Sequence, residues 1–297
     1  MNMVYKAIIT AAGLGTRLLP ITKEMPKEML PLFDTFSEKS ISLKPVVQII
    51  FELLYTTGFR DFCFVVGRGK RILEDYFTPD FNFIELLRKK HIVNRARELL
   101  NFYQMVKDSR IFFVNQPEPI GFGDAVLRAE AFIGTDSFLL HTGDNIILSE
   151  KGGYVNRLLK TFNDYQADAV ILAEEIEFPR SYGVIVSKTL DTRSSILKVL
   201  DIVEKPAKPP SNIAVVAVYV FKPKIFEYIK RVKLDERGEI QLTDAIKMLI
   251  DDGGDVYAIK LKTNEKRLDI GTTRSYWKAL YESYQWSLRR ASRSSIK

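Results

Sequence analysis

The apolar run from Val4 to Thr10 passes without a break into Ala11-Ala12-Gly13-Leu14-Gly15-Thr16-Arg17, and this junction limits the fold more than any other stretch of the chain. The run reads as a strand buried on both faces. Two glycines directly after it let the backbone turn tightly and aim N–H groups at ligand oxygens, as a phosphate-binding loop would, although a plain tight turn fits the same residues. Lys44-Pro45 then opens a helical pattern that runs through Tyr55 and closes at Gly58, and Asp61 to Val66 supplies the next strand. Strand, helix and strand at this spacing make a βαβ unit.

The rhythm continues. Arg110 to Asn115 reads as a strand, Asp124 to Phe132 as a helix, Ser137 to Thr142 as a strand, Gly153 to Tyr165 as a helix and Ala167 to Ala173 as a strand. The alternation predicts an α/β sandwich with a mainly parallel sheet. Strand-like runs then crowd together at Tyr182 to Ser187, Ile196 to Val203 and Ile213 to Phe221, so the sheet is expected to be mixed, with some antiparallel pairs. Helices return at Pro223 to Arg231 and Leu242 to Ile250, Asp255 to Leu261 is a further strand, and Thr273 to Arg290 forms a C-terminal helix. Its aromatics Tyr276, Trp277, Tyr281 and Tyr284 read as a packing stripe, with a subunit interface as the alternative. The polar stretch Thr35 to Leu43 and the charged stretch Asp80 to Asp108 read as excursions from one elaborated domain spanning 1–297, the former being either a flap near the ligand or a longer surface loop.

At 297 residues the chain can bury a sizeable core without staples. Its apolar runs fall well below the roughly 18 residues of a membrane span, and no secretory signal is visible, so no membrane association is expected and the expected compartment is the cytoplasm. The single cysteine, Cys63, between Phe62 and Phe64, reads as a buried strand thiol. The formal charge of +7 is that of a lysine-rich surface with local excess at Arg88, Lys89, Lys90, Arg95 and Arg97 and at Arg289, Arg290, Arg293 and Lys297. No zinc-finger spacing or RNP-like motif accompanies it, so anionic small substrates are favoured over nucleic acid.

Gly13-Leu14-Gly15 is not a dinucleotide fingerprint, because Leu18 stands where the third glycine belongs, and no Gly-Lys-Ser/Thr makes it a Walker loop. Arg17, Lys23 and Lys27 follow within a segment that Pro20, Pro26 and Pro31 keep extended. Two histidines and one cysteine leave few candidates for covalent catalysis.

The loop, together with Pro26-Lys27-Glu28-Met29-Leu30-Pro31, resembles the sugar nucleotidyltransferases, most closely the UTP–glucose-1-phosphate uridylyltransferases. Matching segments follow in family order: Gly67-Arg68-Gly69-Lys70, Gln116 with Gly121-Phe122-Gly123, Thr142-Gly143-Asp144-Asn145, Ser181 to Ile185, Val203-Glu204-Lys205-Pro206, Glu239 to Ala245 and Leu268-Asp269-Ile270-Gly271. The resemblance implies a Rossmann-like three-layer α/β/α sandwich and a reaction in which a phosphate oxygen of glucose 1-phosphate attacks the α-phosphorus of UTP. It implies that Gly13, Gly15, Thr16 and Arg17 hold the triphosphate, that Lys27 reaches the reacting phosphates, and that Ala12, Gln116 and Gly121 contact the base. It further implies Mg²⁺ on Asp144 and Asp269, and a sugar-phosphate site made of Gly183, Glu204, Lys205 and Val215, with Arg17, Lys27 and Lys205 as the catalytic cations. A homo-oligomer is implied as well. Read without the family, Asp144 is a turn or cap residue, Asp269 an N-cap for the last helix, and Glu204-Lys205 an exposed pair at a strand end.

The chain departs from the family pattern at Thr35 to Leu43, which separates Asp34 from Lys44-Pro45, and at Phe122-Gly123-Asp124 after the base-contact glycine. The run Leu268 to Thr272 is also similar to thymidylyltransferases, so dTTP or another hexose 1-phosphate is the nearest rival substrate, because a pocket discriminates one methylene by only about 10- to 200-fold. Rivals of another class are a non-catalytic sugar-nucleotide sensor and a nucleic-acid binder using the basic segments.

Overall fold

The computed structural model describes residues 4–37, 40–190 and 195–294. In chain order it begins with β1 (Lys6–Ala11), a hairpin of β2 (Pro31–Ser37) and β3 (Ser40–Pro45), α1 (Val46–Thr56) and β4 (Asp61–Gly67). Three helices, α2 (Arg71–Tyr76), α3 (Phe81–Lys89) and α4 (Val93–Lys107), precede β5 (Arg110–Gln116), α5 (Phe122–Leu127), α6 (Glu130–Ile133), β6 (Phe138–Thr142) and β7 (Asn145–Leu148). Then come α7 (Gly153–Asp164), β8 (Ala169–Glu175), β9 (Gly183–Thr189), β10 (Ile196–Glu204), β11 (Ile213–Phe221), α8 (Ile225–Ile229), α9 (Leu242–Asp251), β12 (Val256–Lys260), β13 (Lys266–Asp269) and α10 (Thr273–Ser294).

Nine of these strands form one sheet, in the order β5-β4-β1-β6-β11-β8-β12-β10-β9. Alternate residues of β1 show why it reads as a continuous apolar run: Ala7, Ile9 and Ala11 pack into one core cluster and Ile8 into the other. The first cluster takes Val47 and Phe51 of α1, Phe102 of α4, Val155 and Leu158 of α7 and Ala279 of α10, while the second takes Val126 of α5, Ile133 of α6, Phe226 of α8 and Ile246 of α9. Helices therefore cover both faces of the sheet.

The expected parallel majority is corrected to a mixed sheet without one. Pairings β5–β4, β4–β1, β1–β6 and β8–β12 are parallel, whereas β6–β11, β11–β8, β12–β10, β10–β9 and β11–β9 are antiparallel. Every antiparallel pair of this sheet involves β9, β10 or β11, from the strand-rich middle of the chain, where β8 to β11 follow one another with no α-helix between them to make a crossover. The helix expected over Asp124 to Phe132 is two short helices, α5 and α6, with a turn at Arg128-Ala129 between them.

The first crossover ends as its sequence dictates. Gly58, at φ 107°, follows α1, the Gly58 N–H donates to the Tyr55 carbonyl and the Phe59 N–H to the Leu54 carbonyl, satisfying the last carbonyls of the helix. The Thr35 to Leu43 stretch, whose residues 38 and 39 lie outside the described ones, belongs to the β2–β3 hairpin, where Phe33 pairs with Leu43 and Thr35 with Ile41. The hairpin packs on α10, through a Tyr276 hydroxyl bond to the Pro31 carbonyl and a Phe33–Tyr284 edge contact. Of the four aromatics expected to form a packing stripe, Tyr276 fits, but Trp277 and Tyr281 stack on each other while 68% and 55% exposed. Cys63 is buried, which pushes its thiol pKa up to about 12. Among the described residues no helix is long and apolar enough to cross a membrane.

Candidate active site

Because β1, β4, β5 and β6 run parallel, the loops after them gather at one edge of the sheet, where open α/β sheets bind their ligands. A cavity of about 400 Å³ lies there. Its lining includes Ala12, Gly13, Gly15, Thr16 and Arg17 after β1, Gln116 at the end of β5 and Gly121 beyond it, Asp144 after β6, and Lys27. All nine residues expected to meet a nucleotide are thus in one place, whereas Gly183, Glu204, Lys205, Val215 and Asp269 are not among that lining.

The loop after β1 is built to receive an anion. Gly15 sits at φ 66°, which glycine adopts without cost, and its carbonyl accepts bonds from the Thr22 hydroxyl (2.8 Å) and the Leu18 N–H (2.9 Å). The backbone N–H groups from Gly13 to Arg17 donate to no acceptor among the described residues. Free donors of this kind lining a cavity, with Arg17 beside them, suit phosphate oxygens. The Arg17 guanidinium reaches toward Gly271, at which a Cβ would stand 3.0 Å from Arg17 Nη2 and 3.0 Å from Asp269 Oδ1.

Lys27 and Asp144 form an ion pair in the cavity floor. Burial alone would raise the Asp144 carboxyl, but the Lys27 charge and bond, with the Thr142 hydroxyl, hold it below the usual range. Burial likewise opposes the charge on Lys27, and Asp144 and Glu28 outweigh it, so the amine is raised. Glu28 is 1% exposed and its carboxyl is raised by burial, against the pull of Lys70 and Lys27.

Asp269 is not an N-cap of α10. That task falls to Thr272, whose hydroxyl oxygen accepts the Ser275 N–H at 3.1 Å. Asp269 instead ends β13, which pairs antiparallel with β7 so that Asp269 faces Asn145, the residue after Asp144. The Asn145 Oδ1 atom is buried with no hydrogen-bond partner among the described residues. Two carboxylates and an unpaired amide oxygen on adjoining backbone are hard oxygen donors that fit a divalent cation such as Mg²⁺.

At the far end of the cavity, the Gln116 Nε2 donates to the Gly121 carbonyl (3.1 Å) and to Asp124 (2.9 Å), while its Oε1 accepts no bond among the described residues. Gly121 is required as glycine: at φ 111°, a Cβ there would lie 2.5 Å from the Ile240 carbonyl oxygen.

The remaining expected residues form a second group on the antiparallel half. Gly183 on β9 pairs with Glu204 on β10, and a Cβ at Gly183 would meet Glu204 Oε2 and Val215 Cγ2, both at 3.3 Å. The Thr243 hydroxyl of α9 donates to Glu204 at 2.7 Å, and Lys205 pairs with Glu204 at 3.0 Å. Lys205 adopts φ 41°, strained for a residue with a side chain, while its N–H donates to the Tyr182 carbonyl. The Tyr182 ring carries Arg267 of β13, which links this group to the strand that ends in Asp269. Glu28, Asn145, Glu239 and Thr243 all lie in the segments that match the family, but sequence reasoning gave none of them a role; their contacts appear only when distant strands and helices meet.

Comparison with known proteins supports the same assignment. The family model described as Nucleotidyl transferase matches residues 6–285. The chain is 33% identical over 286 residues to a UTP–glucose-1-phosphate uridylyltransferase of Mycoplasma pneumoniae, covering 94% of this chain and 92% of the relative. It is 36% identical over 285 residues to the enzyme of that description, YngB, from Bacillus subtilis, covering 94% and 89%. Among solved structures, a UDP-glucose pyrophosphorylase complexed with UDP-glucose superposes with a TM-score of 0.81 at 31% identity, over 95% of this chain and 99% of that one. A UTP-bound UGPase from Acinetobacter baumannii gives 0.81 at 30% identity, over 94% and 93%. On the extent of these matches, this protein belongs to the nucleotidyl transferase family.

Proposed function

We propose that this enzyme transfers the uridylyl group of UTP to glucose 1-phosphate, giving UDP-glucose and pyrophosphate, and does so with Mg²⁺. The observation that carries the reading is the Gln116 amide at the end of the cavity: its N–H₂ is spent on Gly121 and Asp124, and an acceptor oxygen is left for a base. Uracil offers an N3–H to such an oxygen, whereas cytosine has a bare N3 and could offer only its 4-amino group, from a shifted position. Thymine presents the same N3–H, so dTTP stays the nearest competitor. The relatives that carry uridylyltransferase names support uracil.

In this reading the free N–H groups of Gly13 to Arg17 and the Arg17 guanidinium bind the triphosphate, and Ala12 and Gly121 approach the base through their backbone. Glu204, held by Thr243, accepts a sugar hydroxyl, Gly183 and Val215 shape the pyranose pocket, and Lys205 binds the sugar phosphate. A phosphate oxygen of glucose 1-phosphate then forms a bond to the α-phosphorus of UTP as the bond to the β-phosphate oxygen breaks and pyrophosphate leaves. Lys27 and Lys205 bring two polyanions together and offset their repulsion, so no enzyme nucleophile is needed. Asp144 and Asp269 would hold Mg²⁺, which when bound supplies charge neutralisation on the phosphates. The exposed Trp277 and Tyr281 support a homo-oligomer built on α10. The two core clusters on either side of one sheet support a single domain, and the nucleotide substrate supports a cytoplasmic site of action.

The test is pyrophosphate release with Mg²⁺ across UTP, dTTP, ATP, CTP and GTP, each against glucose, galactose, mannose and N-acetylglucosamine 1-phosphates. UTP with glucose 1-phosphate is expected to be fastest. Another preferred pair would keep the mechanism and correct the substrates, and nucleotide binding without release from any pair would make the protein a sensor.

A further inference from the structure

The segment Gly67-Arg68-Gly69-Lys70 lies between β4 and α2 and has no part in the mechanism above. Gly67, the last residue of β4, runs so close beneath the β1 loop that a Cβ on it would stand 2.9 Å from the Ala12 carbonyl oxygen. Gly69 takes φ 79° and turns the chain back. The turn delivers Lys70, whose side chain is 10% exposed, under the same loop. There its Nζ donates to the Gly13 carbonyl oxygen at 2.7 Å and to Glu28 Oε2 at 3.1 Å. Glu28 adjoins Lys27, and Lys27 holds Asp144.

We infer that Lys70 is a positioning residue that fixes the height and orientation of the Gly13–Arg17 loop by tying the Gly13 carbonyl to buried Glu28. The inference rests on the reading that this loop receives the nucleotide phosphates. The loop has two anchors, Thr22 on the Gly15 carbonyl and Lys70 on the Gly13 carbonyl. Between them Leu14 is 65% exposed, so it gains little from burial to hold the backbone in place. An anion site made of backbone N–H groups works only if those groups already point at one spot, because any ordering on binding subtracts from affinity. A buried amine bonded at once to a carbonyl and a carboxylate is a short, directional tie of that kind. Both hydrogen bonds of Lys70 go to the Gly13 carbonyl and to Glu28, so its loss is expected to act mainly on the triphosphate, through the loop.

The test compares wild type, Lys70→Met, Lys70→Gln and Lys70→Arg in steady-state kinetics, UTP calorimetry and thermal unfolding. Lys70→Met is expected to raise the UTP KM and Kd by about tenfold or more, the scale of one lost charge-assisted hydrogen bond. The glucose 1-phosphate KM is expected to stay within about twofold, and Lys70→Arg to recover most of the UTP affinity. Lys70→Gln keeps an amide donor without the charge and supplies the same readout if the methionine variant fails to fold. UTP affinity unchanged in the folded variants would overturn the inference. Equal losses for both substrates alongside a lowered Tm, without rescue by arginine, would overturn it too by making Lys70 merely structural. Wild type that neither binds nor uses UTP would overturn the functional reading itself, a result that these variants do not produce.

Discussion

The cavity wall that carries Gly13, Arg17 and Gln116 and the separate wall of residues that carries Gly183, Glu204 and Lys205 come from opposite halves of one sheet. The first is assembled from loops that leave parallel strands at a common edge, so each of its residues sits within or just beyond a short local motif. The second is assembled by antiparallel register: Gly183 and Glu204 are 21 positions apart yet directly paired, and Thr243 arrives on a helix from farther along the chain. The ribbon of β7 and β13 joins the two, because it sets Asp269 opposite Asn145. Parallel architecture sets each site residue in a loop beside its own strand, and antiparallel architecture builds the site from strand register.

If the walls divide the labour as proposed, charge removed where they meet should cost the most. Asp144→Asn and Asp269→Asn are each expected to lower turnover by at least about 10³-fold while the protein still folds, since both remove a carboxylate on which the cation and phosphates converge. Pyrophosphate release and circular dichroism check this, and near wild-type rates with Mg²⁺ would take either residue out of the metal site.

A second contrast concerns stability at the seam of the two halves. His141 on β6 pairs parallel with Ile9 on one side and antiparallel with Val218 on the other, and it is fully buried against the Thr142 carbonyl and the Tyr154 hydroxyl. Burial pushes its pKa down from 6.5 to about 4. The unfolded chain therefore takes up the proton first, so the stabilisation is complete above pH 6.5 and is lost as pH falls toward 4. The loss at the lower end is about 3 kcal/mol from this one group. Urea unfolding of wild type and His141→Gln at pH 7, 5.5 and 4.5 measures it, with a shallower decline expected in the variant. Parallel declines would show that the seam does not sense pH through His141.

The smallest expected effect tests the separateness of the walls. Lys205→Ala should raise the glucose 1-phosphate KM by about 10- to 100-fold, the scale of a lost charge-assisted bond, and leave the UTP KM nearly unchanged. A comparable rise for both substrates would mean that Lys205 serves the nucleotide wall as well, and the comparison would fail there.

Legibility in the sequence followed the same division. The strand Val4 to Thr10, the helix after Pro45 and the glycine loop could be read because periodicity and turn chemistry are local, and β11 was delimited to the residue at Ile213–Phe221. Gly183, Glu204, Lys205 and Val215 came only from family resemblance. Without it, nothing near Glu204 distinguishes it from other charged residues at strand ends. The Thr35 to Leu43 stretch looked like a loop or flap because it is polar, but pairing with Pro31–Ser37 makes it a hairpin. Its described residues do not line the cleft, and Ile41, Ser42 and Leu43 border a separate cavity with Gln48 and Tyr76. Of the basic end, Lys297 lies outside the described residues, while Arg290 pairs with Asp34.

By itself, the sequence determined the α/β class, the strand that opens the fold, and the glycine turn with the cations that follow it, since each rests on interactions between near neighbours along the chain. Only the tertiary structure decided that antiparallel pairs make up so much of the sheet, that Asp269 meets Asn145 rather than capping a helix, that Thr243 braces Glu204, and that Lys70 lies under the loop after β1. Those facts depend on register and on burial between segments tens to more than a hundred residues apart, where the free energy of a contact is set by what the fold brings alongside and not by the residue type.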